Sequence, residues 1–199
     1  MKIGVFGGTF DPPHLGHLIL AGEAMDQLGL DRLLWIVTST PPHKPRQPFA
    51  SGQDRLDMTC LMAEQDPNFA VSRVDFDRPG PHYTFDMLRL LQSEFPGDEL
   101  CFLMGGDSLH DLPGWYRSQE LVQICGSFGV MRRPDDRVDL DVLEEILPGI
   151  KRKVQFIHAP LIEISSHDIR RRIKENRMVR FYLLPAVYQL IKDRHLYIS

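Results

Sequence analysis

A doubly wound α/β fold, with a mainly parallel sheet and helices on both faces, is what this sequence predicts. Two observations carry the reading. Short apolar runs of strand length recur along the chain, and amphipathic stretches with helical spacing lie between them. Strands that alternate with helices are joined by crossovers, which lay the strands parallel and the helices over the sheet.

The apolar runs at 3–6, 33–37, 69–74, 100–104, 128–131 and 154–157 read as strands. Between them, Leu18, Ala21, Met25 and Leu28 repeat at helical spacing and stop at Gly29, where a left-handed residue ends a helix readily. Leu88, Leu91 and Phe95 repeat in the same way and stop at Pro96-Gly97. There is no internal repeat, low-complexity tract or Gly/Ser linker, and the most polar stretch, 132–141, is short. Residues 1–199 therefore read as one domain, and 43% hydrophobic residues can fill its core.

Composition excludes several function classes. A net charge of −4 argues against a protein held on nucleic acid by general phosphate attraction. Cys60, Cys101 and Cys125 form no CxxC pair and sit in apolar runs, so neither a disulfide framework nor a zinc site is expected. The first residues run straight into a strand with no export signal, and nowhere do about 18 apolar residues follow one another. A cytoplasmic protein without a membrane partner is expected, and self-association into a homo-oligomer is left open.

In open α/β sheets ligands settle beyond the carboxyl ends of the strands. The segments to search are 7–17, 38–46, 75–84, 105–115 and 132–136, with 164–170 as a later addition. The first of them reads Gly7-Gly8-Thr9-Phe10-Asp11-Pro12-Pro13-His14-Leu15-Gly16-His17. Glycines at a strand-to-helix turn let backbone approach a ligand, and free amides at a helix start attract anions, so phosphate is the expected guest. His14 and His17 share one side of the opening turn, and Gly16 between them leaves room for a bulky anion. Neither GxxxxGK[ST] nor the later glycines of GxGxxG are present.

This segment resembles the HxGH signature of the nucleotidylyltransferase superfamily, in the form GGTFDPPHxGH of bacterial nicotinate-nucleotide adenylyltransferases. The resemblance implies a Rossmann-like version of the same fold. It also implies that amides near Gly8, Thr9 and Phe10 hold the α-phosphate region of ATP while His14 and His17 contact phosphates in the transition state.

A second anion site is read at Ile164-Ser165-Ser166-His167-Asp168-Ile169-Arg170, where two serines stand at a helix start and a guanidinium follows one turn on. It resembles the superfamily's ISSxxIR motif, which implies Ser165, Ser166 and Arg170 on the outer phosphates. His167 stands where the common form carries threonine.

Three further segments resemble the same family: Thr40-Pro41-Pro42-His43-Lys44, Arg78-Pro79-Gly80-Pro81-His82-Tyr83-Thr84, and Gly105-Gly106-Asp107-Ser108-Leu109 with Trp115. From the residues alone, the first is a rigid cationic loop or a proline-stiffened turn. The second precedes a helix with Thr84 as N-cap and Asp86 in its first turn. The third offers a carboxylate and a flat ring, or a cap and a core tryptophan. The resemblance implies that Thr84 and the Trp115-Tyr116 backbone hold a nicotinate carboxylate beside Tyr83, and that Trp115 stacks on the ring. It further implies that Asp107 meets a ribose with Gly105 beside the ATP, and that His43 and Lys44 approach phosphate, Lys44 as a catalytic cation. Arg133-Pro134 resembles the family's RPG segment, with Asp135 in place of the glycine.

The implied substrates are ATP and nicotinate mononucleotide, with Mg2+ delivered on ATP and no dedicated metal ligands. Transfer to nicotinamide mononucleotide or another phosphorylated acceptor, and a nucleotide sensor without chemistry, are the alternatives.

Overall fold

The computed structural model describes residues 1–38, 48–131 and 138–198. Six strands, β1 (Lys2–Gly8), β2 (Arg32–Val37), β3 (Phe69–Ser72), β4 (Glu99–Gly105), β5 (Ser127–Met131) and β6 (Val154–Ile157), form one sheet. Its order is β3-β2-β1-β4-β5-β6, and every neighbouring pair is parallel. The chain builds outward from β1 to β3, returns to lay β4 beside β1, and builds outward the other way. The loops leaving β1 and β4 consequently diverge to opposite faces and open a crevice at the carboxyl edge.

Strand alternation fills two cores, one on each face. Leu33, Trp35 and Val37 of β2 enter the core covered by helices α1 (Leu15–Leu28), α2 (Gly52–Ala63), α7 (Ser166–Lys174) and α8 (Pro185–Asp193). Leu34 and Ile36 enter the other, under α3 (Thr84–Glu94), α4 (Gly106–Asp111), α5 (Ser118–Ile124) and α6 (Leu140–Ile146). Each such side chain taken fully from water contributes roughly 1.5–3 kcal/mol before entropy is counted. Among the described residues no helix is long and apolar enough to cross a membrane.

All six strands fall where the apolar runs lie, and α1 stops at Gly29 in the left-handed conformation, φ 59°. Two details differ. The third strand ends at Ser72, not Val74, because the Ser72 hydroxyl accepts the Val74 N–H and the chain then turns, with Phe76 N–H bonded to the Arg73 carbonyl. Tyr83, not Thr84, is the N-cap of α3, and no side chain caps it. Helix α2 escapes a sequence reading because its buried face carries Arg55 and Thr59 among Leu56, Met58 and Met62, which blurs the apolar period.

Candidate active site

The crevice is a cleft of about 1100 Å³. One wall is Gly7, Gly8, Thr9 and His17 from the β1–α1 turn. The other is Tyr83 and Thr84 at the start of α3, Gly105 and Asp107 after β4, and Trp115 with Tyr116 beyond α4. Phe6, Phe102 and Leu103 form part of an apolar floor.

The first wall is shaped by an aromatic nest. Phe10 has a left-handed backbone, φ 47°, and a ring that is 2% exposed. That ring lies under Gly8 so closely that a Cβ there would come within 2.8 Å of it, which is why the loop requires glycine. Phe10 also packs against Phe6, Trp35 and the His17 ring, at 5.4, 5.3 and 5.1 Å between centroids.

His14 and His17 converge but do not play the same part. Their rings lie 3.8 Å apart and 31° from parallel. His17 faces the cleft, and its Nδ1 accepts the backbone N–H of His14 at 3.2 Å. That bond fixes the lone pair on Nδ1, so the neutral ring carries its proton on Nε2 as a donor. His14 lies beneath, 7% exposed, with a buried Nδ1 that has no partner. Burial lowers its pKa to about 4, so the ring is neutral at physiological pH. The expected space at Gly16 is taken by this ring, since a Cβ there would press on His14 Nδ1 at 3.1 Å. Gly16 makes room for an imidazole rather than for an anion.

The sequence reading missed the group that organises this wall. Asp11 is 4% exposed, and its carboxylate accepts from Phe49 N–H at 2.7 Å, Ala50 N–H at 3.1 Å and the Tyr197 hydroxyl at 2.7 Å. Burial, then the neighbouring Asp11 charge, raises the pKa of Tyr197, which therefore remains a donor. Arg55, 2% exposed, feels the Asp11 charge and donates to the carbonyls of Thr9 and Thr38 at 2.9 and 2.7 Å. It ties the ends of β1 and β2 together. Arg55 left a signal as a cation inside an apolar helix face, whereas nothing in sequence joins Asp11 to Tyr197 across 186 positions.

The second motif docks on the first. Ser166 Oγ donates to the Pro12 carbonyl at 2.8 Å, and Arg170 donates to the carbonyl of Asp11 while its guanidinium lies 4.4 Å from the Phe49 ring centre. Ser165 is the N-cap of α7: its Oγ accepts the Asp168 N–H at 3.0 Å and donates to the Asp168 carboxylate at 2.6 Å. The cap is intact beside an exposed His167. Ser166 and Arg170 thus bond carbonyls of the β1–α1 turn while Ser165 caps α7 beside them, and none of the three lines the cleft wall itself.

On the acceptor side, the Tyr83 and Tyr116 rings stack at 4.3 Å and 24°, and Arg117 lies over Phe85 at 4.2 Å, joining the two lips. Trp115 is half-buried and edge-on to Phe102 at 6.2 Å, with part of its surface in the cleft. Asp107 is exposed in the first turn of α4. His43 and Lys44, and Arg133-Pro134 with Asp135, lie outside the described residues. Among the described residues, no group of three or more His, Cys, Asp or Glu is placed to hold a metal ion.

Residues 5–172 match the Cytidylyltransferase-like family. A Thermomicrobium roseum protein named "Probable nicotinate-nucleotide adenylyltransferase" is 43% identical over 98% of this chain and 90% of its own. A Thermus thermophilus protein of the same name is 42% identical over 99% of this chain and 100% of its own. In fold, the chain is similar to Plasmodium falciparum nicotinic acid mononucleotide adenylyltransferase complexed with NaAD, at TM-score 0.78 and 19% identity over 98% of this chain and 97% of that one.

Two measurements check this wall. Asp11→Asn leaves Arg55 without its buried counter-charge and is expected to cost about 3–5 kcal/mol in urea unfolding, against about 1–2 kcal/mol for Tyr197→Phe. Equal, negligible losses would remove Asp11 from the centre of the network. For His14, the folded pKa of about 4 lies below the unfolded value of 6.5, so stability is unaffected above pH 6.5 and falls as pH drops toward 4. Wild type should lose about 2 kcal/mol more than His14→Asn between pH 7.5 and pH 5. Parallel pH profiles for the two proteins would contradict a neutral, buried His14.

Proposed function

The chain belongs to the Cytidylyltransferase-like family and, at 42–43% identity over nearly its full length, to the nicotinate-nucleotide adenylyltransferases within it. From that premise we propose that it transfers the adenylyl group of ATP to nicotinate mononucleotide, giving deamido-NAD and pyrophosphate, with residues 1–199 acting as one nucleotidyltransferase domain. The observation that carries the proposal is the cleft of about 1100 Å³ at the β1–β4 switch point. It lies just above the roughly 300–1,000 Å³ range of ordinary small-molecule sites, in keeping with a pocket for two nucleotides.

The acceptor phosphate is an anion at neutral pH and needs no general base. Its oxygen forms a bond to the α-phosphorus as the bond from that phosphorus to the bridging oxygen breaks, and the electron pair leaves with pyrophosphate. What the reaction demands is in-line placement and donors aimed at the charge on the oxygens. His17 is suited to that task because its Nδ1 is occupied by the His14 amide and its proton sits on Nε2. His14 backs His17 as a neutral ring at stacking distance. Gly8, Thr9 and Phe10 bring backbone to the α-phosphate region.

Arg170 would exchange the Asp11 carbonyl for an outer phosphate oxygen, with Ser165 and Ser166 at the helix start beside it. Lys44 and His43, which lie outside the described residues, complete the charge compensation. A magnesium ion carried on ATP would supply further positive charge at the phosphates, and no side chain is assigned to hold it. On the other wall, Asp107 meets a ribose beside Gly105, and Trp115 stacks on the pyridine. The amides at Thr84 and Tyr116 face its carboxylate beside Tyr83.

Pyrophosphate release with ATP and a panel of acceptors tests the reading. Turnover with nicotinate mononucleotide should exceed that with nicotinamide mononucleotide, and silence with every acceptor despite ATP binding would make the protein a sensor. His17→Ala should lower kcat by about 10²–10³-fold in a folded protein, the scale of losing one preorganised donor. An unchanged kcat would remove His17 from the reaction.

A further inference from the structure

Between β3 and α3 lies a buried ion pair that the proposed chemistry leaves without a task. The side chains of Asp75 and Arg78 are 4% and 12% exposed. Arg78 Nε and Nη2 both donate to Asp75 Oδ1, at 3.0 and 2.7 Å. The same guanidinium donates from Nη1 to the Pro81 carbonyl at 3.1 Å and from Nη2 to the Tyr83 carbonyl at 3.2 Å. The chain from 75 to 83 is wrapped around one planar group. Only arginine offers several donors in a fixed fork, whereas an ammonium is a point charge on a flexible stem.

The Tyr83 carbonyl is the important end of this grip. Tyr83 is the N-cap of α3, and its carbonyl accepts the Met87 N–H at 3.1 Å, the bond that opens the helix. Holding that oxygen fixes where the first turn of α3 begins and where the amides of Thr84, Phe85 and Asp86, which lack intrahelical acceptors, point. Thr84 lines the cleft. The stack of Tyr83 on Tyr116 carries the same constraint across to the opposite lip.

The pair also sets the local charge. Asp75 lines the cleft, and a carboxylate there without its guanidinium would repel a carboxylate on the pyridine more than the uncharged carboxamide of the amide acceptor. His82 lies 4.0 Å from Asp75 Oδ1, with its buried Nδ1 unpartnered. Burial lowers the His82 pKa, against the pull of Asp75, so this ring does not supply a standing positive charge. Cancelling the Asp75 field falls to Arg78.

We propose that Arg78 is the positioning residue that sets the preference for an acidic over an amide pyridine, acting through Asp75 and the carbonyls of Pro81 and Tyr83 without touching the acceptor. The proposal rests on the reading that the Thr84 and Tyr116 amides face the acceptor's carboxylate. It predicts changes of opposite sign on either side of the pair. Removing the guanidinium misplaces the amides and exposes a negative charge. Removing the carboxylate leaves the guanidinium on its two carbonyls and makes the wall positive.

The experiment measures kcat/KM of the full chain for nicotinate and nicotinamide mononucleotides at saturating ATP, together with KM for ATP and the thermal midpoint. In Arg78→Lys the acid-to-amide ratio should fall about tenfold, through KM for the acid, and in Arg78→Gln it should fall further. KM for ATP should stay within about twofold, since the β1–α1 wall is untouched. Asp75→Asn, which keeps a cation in place, should raise the ratio instead, and it serves where the arginine variants do not fold. Acid and amide rates that fall by one common factor would make Arg78 merely structural, and a ratio lowered or unchanged in Asp75→Asn would equally overturn the proposal. A wild-type protein that does not discriminate acid from amide would strike the reading of the acceptor site. Discrimination that survives in every variant would strike this inference alone.

Discussion

A carboxylate withdrawn from water at the carboxyl edge of the sheet is the constraint on which this site depends. An ion buried without compensation loses several kcal/mol of hydration, so Asp11 is tolerable only where donors surround it. They come from distant parts of the chain: the backbone at Phe49 and Ala50, and the hydroxyl of Tyr197. Arg55 adds a counter-charge from α2. Satisfying Asp11 therefore draws the end of the β2 loop and the chain terminus against the turn that carries His14 and His17. The docking of Ser166 and Arg170 on the carbonyls of Pro12 and Asp11 then follows, since those carbonyls are held in place from behind.

The sheet order decides what that turn can face. With β1 and β4 adjacent and their crossovers leaving to opposite sides, the β1–α1 turn and the segments around α3 and α4 become opposing walls of one crevice. A reaction that joins two nucleotides needs both held at a fixed separation more than it needs a reactive side chain. The apolar floor at Phe6 and Phe102 and the stacked lip at Tyr83 and Tyr116 are rigid contacts that keep such a separation.

Much of this was legible in sequence because it is local. Apolar runs named the strands, and the glycine–histidine segment announced a strand-to-helix turn. The serine pair marked the start of α7. What escaped was long-range or depended on burial. Arg55 and Thr59 interrupt the apolar face of α2 because that helix buries hydrogen bonds as well as hydrocarbon. No spacing could show that His14 sinks beneath His17 and fills the space above Gly16, since burial is a property of the packed turn and not of the local sequence. Tyr83 and not Thr84 is the N-cap, and its carbonyl is held by Arg78, a contact between residues whose types suggested only a turn.

The two histidines of the turn are unequal, one buried beneath the other. Two imidazoles 3.8 Å apart repel if both are protonated, and burial already holds His14 neutral. The pair consequently supplies one oriented N–H rather than two positive charges. In the proposed reaction a triphosphate carries more negative charge than one hydrogen-bond donor can balance, and cations would have to come from elements that the histidines do not crowd. Arg170 stands one helical turn beyond Ser166, against the same loop, and brings a guanidinium there. On that reading, hydrogen-bond donation and charge compensation fall to separate elements, the β1–α1 turn and α7, which are joined by the bonds of Ser166 and Arg170 to the carbonyls of Pro12 and Asp11.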